Sequence, residues 1–276
     1  VSGASRRRLG PVAVLAALAL AAGACGGEGA TVQGVNLVHK GRLTSCAHLP
    51  HPPFQMEQGG KVVGFDVDML DLVAKRLGVA QHVVNVPYET MTSGDALRAQ
   101  RCDVVMGVAV TPGRAGSMSA TKPYFAAVQA LVARKGSGIG SLADVKARDL
   151  RLGAQTSSTG EKYVEEKDFE PRSYDTAQAQ LEGLRTGRVD VAVQDYAVAR
   201  GWLRTPAGAG MEIVATFDTG ERYGFFVRRD ENPELVKLID QVIDKARADG
   251  TYQRVYQKWI GPMPKKDGGA TPRAAR

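Results

Sequence analysis

Two charged side chains, each leaving the end of an apolar run, have the types and spacing to hold a small zwitterion. Arg114 follows Val104-Val105-Met106-Gly107-Val108-Ala109-Val110-Thr111-Pro112-Gly113. A run of this kind, closed by a Pro-Gly turn, reads as a fully buried strand that stops at a crevice. A planar guanidinium placed there suits a two-pronged grip on a carboxylate, and Gly107 would let a ligand approach the main chain. Asp195 leaves Val191-Ala192-Val193-Gln194 in the same manner and would take an ammonium. Each has an ordinary alternative: a solvated surface arginine for Arg114, a helix N-cap for Asp195. If the two strands face each other across a cleft, a zwitterion bound to both would offset the cost of burying either charge alone.

A second constellation is Cys46-x-His48-x-x-His51, whose thiolate and imidazoles suit zinc or copper. The cysteine count bears on it. Residues 1–24 carry Arg6, Arg7 and Arg8, an apolar stretch over 12–22 and small residues before Cys25, the pattern of an export signal. Ala22-Gly23-Ala24-Cys25 is similar to a bacterial lipobox, which makes Cys25 a lipidation site and anchors the protein on the outer face of the cell membrane; ordinary cleavage would release a secreted protein instead. In an oxidising compartment Cys46 and Cys102 then form a disulfide or remain two buried thiols. A disulfide would remove the thiolate from the metal constellation.

The elements that must position these residues alternate. Strands are expected over residues 41–47, 82–86 and 103–110, with helices over 64–78 and 94–101 between them. A strand over 127–133 opens a second unit, followed by a helix over 141–145, a strand over 150–154, a helix over 160–166, a helix capped by Asp175 and a strand over 189–193. A strand over 223–227 and a helix opened by Pro233 close the chain, with the aromatics of residues 252–259 as packing anchors. The order is that of a doubly wound, parallel α/β sheet, in which Cys46 and Cys102 lie on neighbouring strands. Leu97-Arg98-x-x-Arg101-x-Asp103-Val104 recurs 87 residues later as Leu184-Arg185-x-x-Arg188-x-Asp190-Val191, which suggests two similar α/β lobes.

The 276 residues, 43% hydrophobic, suffice for one large or two ordinary domains. The formal charge of +7 falls once Arg6, Arg7 and Arg8 are set aside, leaving 33 basic residues against 29 acidic ones, interspersed. With no basic block interleaved with aromatics, nucleic-acid binding has no support. Neither a Gly-x-Ser-x-Gly elbow nor a phosphate-binding Gly-x-x-x-x-Gly-Lys loop is present, and no motif calls for a cofactor. Residues 25–36 read as a flexible tether and 264–276 as a disordered tail.

Several spaced stretches resemble one family. They are Gly64-Phe65-Asp66-Val67-Asp68-Met69, Gly153-Ala154-Gln155 leading to Thr159-Gly160, Gly187-Arg188-Val189-Asp190, Asp249-Gly250-Thr251-Tyr252 and Lys258-Trp259-Ile260-Gly261. Together they resemble the polar amino-acid-binding proteins of bacterial ABC importers, solute-binding protein family 3. The resemblance implies a type 2 periplasmic-binding-protein fold with a two-segment hinge. Residues 37–127 and 218–263 would form one lobe and 128–217 the other, with crossings near 126–132 and 217–226. It implies that Arg114 grips the α-carboxylate of an amino acid, helped by Thr159 and main-chain donors around Gly107 and Ala109, while Asp195 takes the α-ammonium. His48 and His51 would meet the ligand side chain. The family's usual acidic residue is absent at His48 and its aromatic near Thr90 is missing, which favours a neutral or acidic polar side chain, glutamine or glutamate first. The implied role is a monomeric, non-enzymatic carrier that delivers its ligand to a permease. A cyclohexadienyl dehydratase-like enzyme on the same fold is the alternative.

Overall fold

The computed structural model describes residues 29–261 together with residues 1 and 3. The export signal over 1–24 (those two residues apart), Cys25 and the tail over 264–276 lie outside the described residues. Part of the expected tether is folded: β1 (Ala30–Val32) and β2 (Val35–Leu37) form an antiparallel hairpin. The Asn232 side chain holds it, donating to the Asn36 carbonyl at 2.7 Å and accepting from its N–H at 3.3 Å.

The first lobe contains β3 (Arg42–Ala47), a hairpin of β4 (Met56–Gln58) and β5 (Lys61–Val63), α1 (Phe65–Leu77), β6 (Ala80–Asn85), α2 (Tyr88–Thr92), α3 (Asp95–Arg98), β7 (Val104–Ala109), α4 (Pro112–Ser117), β8 (Met118–Ala120) and β9 (Phe125–Ala126). Helix α1 has Asp66 and Asp68 in its first turn and Lys75 and Arg76 in its last, matching the helix dipole. Gly78 ends it in the left-handed conformation, where its N–H closes on the Ala74 and Lys75 carbonyls. The chain then crosses to the second lobe, with β10 (Gln129–Arg134), α5 (Leu142–Ala147), β11 (Leu152–Gln155), α6 (Thr159–Glu165), β12 (Arg172–Tyr174), α7 (Ala177–Arg185), β13 (Val191–Asp195), α8 (Tyr196–Trp202) and β14 (Met211–Phe217). It returns through residues 218–221 to β15 (Arg222–Arg228), α9 (Pro233–Ala248) and α10 (Thr251–Trp259). Helix α10 closes the first lobe, where Lys258 Nζ and Trp259 Nε1 both donate to Asp68, at 2.7 and 2.8 Å.

The sheets are mixed rather than purely parallel. One runs β6-β3-β7-β15-β8, with β9 also on β15, and the other β12-β11-β13-β10-β14. In each, the strands carried by helical crossovers are parallel, whereas β15 and β10, which enter from the crossings, run antiparallel to their neighbours. Strand β14 and helix α2 were not expected, α8 follows Asp195 as its N-cap alternative implied, and the helix expected over 94–101 is the single turn of α3. Thr176, not Asp175, caps α7, its hydroxyl accepting the Ala179 N–H at 3.0 Å.

The internal echo has a common structural basis. Asp103 exchanges bonds with Thr44, donating its N–H to the Thr44 carbonyl at 2.8 Å and accepting the Thr44 N–H at 2.7 Å. Asp190 makes the same exchange with Arg151, at 2.8 and 3.0 Å. Each aspartate therefore sets the start of its lobe's central strand against the strand beside it.

Cys46 and Cys102 form a disulfide with Cα atoms 5.7 Å apart, closing 56 residues of chain between β3 and the approach to β7. Closure of such a loop restricts the unfolded chain and contributes about 2–4 kcal/mol. The double variant Cys46→Ala/Cys102→Ala is expected to lose stability of that order in urea unfolding; an unchanged midpoint would show that the bridge is not formed.

Candidate functional site

Arg114 lies in the first turn of α4. Pro112 opens that helix, and the Thr111 hydroxyl caps it by accepting the Arg114 N–H at 3.3 Å. The guanidinium turns back into the crevice between the lobes. Nη1 donates to the Ala109 carbonyl at 3.0 Å, and Nη2 donates to the Ser157 carbonyl of the second lobe at 2.9 Å. Only 8% of Arg114 is exposed, so it is not a solvated surface arginine. Among the described residues no carboxylate lies within ion-pair distance of it. A buried guanidinium satisfied on two corners by neutral carbonyls keeps the capacity to take an anion.

Across the crevice Asp195 ends β13 and precedes α8, yet its carboxylate makes no capping bond. It accepts instead from Nε2 of Gln129, its register partner on β10. The same amide nitrogen donates to Glu221 Oε2 at 3.1 Å, and the Thr159 hydroxyl donates to that oxygen at 2.8 Å. Thr159 is positioned by the start of α6, where the Ser158 side chain accepts the Glu161 N–H and Glu161 returns a bond to the Ser157 N–H. Burial, then the neighbouring charge of Glu221, push the Asp195 carboxyl up to about 7, while Gln129 and Arg114 pull the other way. Glu221 was not foreseen. It stands on the return crossing, in a stretch that reads as a turn.

Tyr88, at the start of α2, stands among Arg114, Asp195 and Glu221; burial pushes its hydroxyl up, and Arg114 pulls it down. It supplies an aromatic two residues before Thr90, where none was expected. The ring of His48 lies 5.9 Å from that of Tyr88. His48 Nδ1 sits 3.0 Å from the Val86 carbonyl, which can only accept, so Nδ1 carries a proton and, in the neutral ring, Nε2 is the lone-pair acceptor. His51 is buried and stacks on Phe54, with centroids 5.6 Å apart. The Nε2 atoms of both histidines are buried without a protein partner.

Gly107 and Ala109 each have protein partners in the structure. Gly107 takes a positive φ of 72°, and its N–H serves Asp66, inside the first lobe. A Cβ there would lie 2.5 Å from Gln55 Nε2, so the close approach its glycine permits is that of Gln55. Asp66 also accepts from Tyr124 at 2.7 Å and from Gln55. Ala109 offers the crevice a carbonyl already engaged by Arg114. The metal constellation fails: Cys46 is bonded to Cys102, and among the described residues no group of three or more His, Cys, Asp or Glu is arranged to hold a metal.

A profile of the bacterial extracellular solute-binding proteins, family 3, matches residues 43–262. The chain belongs to this family. It is 30% identical over 266 residues to a probable histidine-binding protein of Neisseria gonorrhoeae, covering 93% of this chain and 96% of that one. ABC transporter arginine-binding protein 1 of Escherichia coli (strain K12) is 29% identical over 217 residues, 76% of this chain and 87% of its own. Among solved structures, an ancestral arginine-binding protein bound to arginine is similar with a TM-score of 0.74 and 34% identity, covering 80% of this chain and 99% of that one. The two-lobed architecture is thus the type 2 periplasmic-binding-protein fold, and the relatives are named as binding proteins rather than enzymes.

In this family 3 protein the two imidazoles lie in different surroundings, His48 beside Tyr88 and His51 buried on Phe54. Burial, then the proximity of His48, lower the His51 pKa to about 4. The His51 ring is therefore neutral from pH 5 to pH 8, and its Hε1 resonance is expected to stay flat over that range; a titration centred near 6.5 would show an exposed ring.

Proposed function

We propose that this protein captures an amino acid between its lobes and delivers it to the permease of an ABC importer. The observation that carries the reading is Arg114, a buried cation bonded to carbonyls of both lobes and facing Asp195 and Glu221 across the crevice. The ligand's α-carboxylate would complete the guanidinium, with Thr159 beside it, and the α-ammonium would lie against Asp195. Contacts to both lobes are what let a ligand favour closure, since only a difference in affinity between open and closed forms moves that equilibrium.

The side-chain preference follows from hydrogen-bond chemistry. In the neutral ring His48 Nε2 would accept, and the carboxylates of the crevice add acceptors. An acidic side chain would set lone pairs against lone pairs, so the glutamate expectation gives way, whereas glutamine, histidine and arginine carry the N–H donors this surface can take. The histidine- and arginine-binding names of the relatives support the same direction. The extracellular character of the family supports a location outside the cytoplasm. Lipidation at Cys25 would tether the protein beside its permease, with residues 37–127 and 218–263 as one lobe and 128–217 as the other.

A thermal-shift screen of the common amino acids tests the reading. A ligand at a hundred times its dissociation constant should stabilise the protein by about 2.7 kcal/mol. Arg114→Ala and Asp195→Asn are expected to abolish the shift while far-UV circular dichroism stays that of the folded protein; near-normal affinity in either variant would refute the site. A silent screen would refute the amino-acid reading itself.

A further inference from the structure

Glu221 has no task in holding a simple zwitterion, for which one carboxylate facing one guanidinium suffices. Its setting suggests one. The Gln129 amide has two N–H bonds, and its nitrogen serves Asp195 and Glu221 at once, so two carboxylates converge on a single neutral donor group. Among the described residues neither carboxylate has a lysine, arginine or histidine at ion-pair distance. The groups facing the pair are Arg114 of α4 and Tyr88 of α2 from the first lobe, and Gln129 of β10 and Thr159 of α6 from the second. Arg114 is thus set against two half-buried acids, with the Arg222 guanidinium held outside them by its bond to the Glu221 carbonyl at 2.8 Å. Burial first, and then the like charge of Glu221, disfavour ionisation of Asp195.

We propose that Asp195 and Glu221 share one proton in the ligand-free protein and release it when the ligand's ammonium enters, so that capture exchanges a proton for a cation. The inference rests on the amino-acid reading of this cleft. No bond within the ligand changes: the carboxyl O–H breaks, its proton passes to solvent, and both carboxylates are left ionised against the ammonium. Gln129 needs no rearrangement, because each of its N–H bonds meets a carboxyl oxygen in either state. The position of the Asp195 carboxyl near 7 supports an exchange in the neutral range. The sign follows from linkage. Below the midpoint of the pair each ligand must expel a proton, so the dissociation constant rises by up to about tenfold for each pH unit lost; above it the proton has already gone and affinity is flat.

The experiment has two arms. In the first, the ligand-free protein and its Glu221→Gln and Asp195→Asn variants are titrated potentiometrically between pH 5.5 and 8. The wild type is expected to take up about one proton more than either variant near pH 7, the difference cancelling Asp66 and the histidines common to all three. Equal uptake by wild type and both variants would overturn the proposal. In the second arm L-arginine and L-glutamine are titrated calorimetrically at pH 6.5 in phosphate and in imidazole buffer. A buffer-dependent enthalpy reporting between half a proton and one released by wild type, and nearly none by Glu221→Gln, is the expected result. Binding of either amino acid with no proton released would overturn the exchange while leaving the carrier reading intact. Binding of neither would overturn the preference for these side chains, and the first arm would then decide whether the pair holds a proton.

Discussion

A guanidinium buried between two lobes and bonded to a carbonyl of each is the constraint on which this site depends. Arginine does not give up its proton inside a protein, so Arg114 must keep its charge, and burial of that charge has to be offset. The Ala109 and Ser157 carbonyls supply directed bonds without countercharge. The compensating negative charge stands across the crevice on Asp195 and Glu221, acting over distance rather than through contact. Among the described residues no ion pair joins Arg114 to either acid, and on the proposed function a molecule carrying both signs would pair with each.

The scaffold serves that separation. In both lobes an aspartate at the head of the central strand donates its N–H to a carbonyl of the adjacent strand and accepts that residue's N–H on its carboxylate, Asp103 with Thr44 and Asp190 with Arg151. The strands are thereby fixed at their far ends, and their other ends deliver Arg114 and Asp195 to the crevice. The disulfide from Cys46 to Cys102 adds a covalent tie beside the first of these exchanges. Behind the His51 turn, Phe54 packs against Phe65, Phe125 and Tyr223, so that turn rests on an aromatic cluster rather than on loop structure alone.

What is legible in the sequence and what is not divide along physical lines. Arg114 and Asp195 can be read because each ends an apolar run, and a parallel strand's end is where crevices open. The disulfide can be read because three cysteines and strand order leave few partners. Gly107 is legible in part: a glycine in a buried strand signals close approach, and the approaching group is the protein's own Gln55. Glu221 and Tyr88 carry no local signal, since their place in the site arises from chain crossings and long-range packing. Gln129 carried one that was not used. It is a lone amide at the head of an apolar strand, and a polar group buried there must bond to something.

Gln129 also explains why the site and the hinge are not separate devices. It stands at the first residue of β10, immediately beyond the outgoing crossing, and Glu221 stands at the end of the returning one. Their 3.1 Å bond ties the two crossings together, and the same nitrogen holds Asp195. On the proposed function, an ammonium arriving at Asp195 would act on a group already bonded to the hinge, whereas a carboxylate arriving at Arg114 would act on the bond that joins the lobes. A zwitterion would engage both at once, and a simple cation or anion only one. Selection for an intact amino-acid backbone would then follow from where the polar groups sit relative to the crossings, whatever the ligand's side chain.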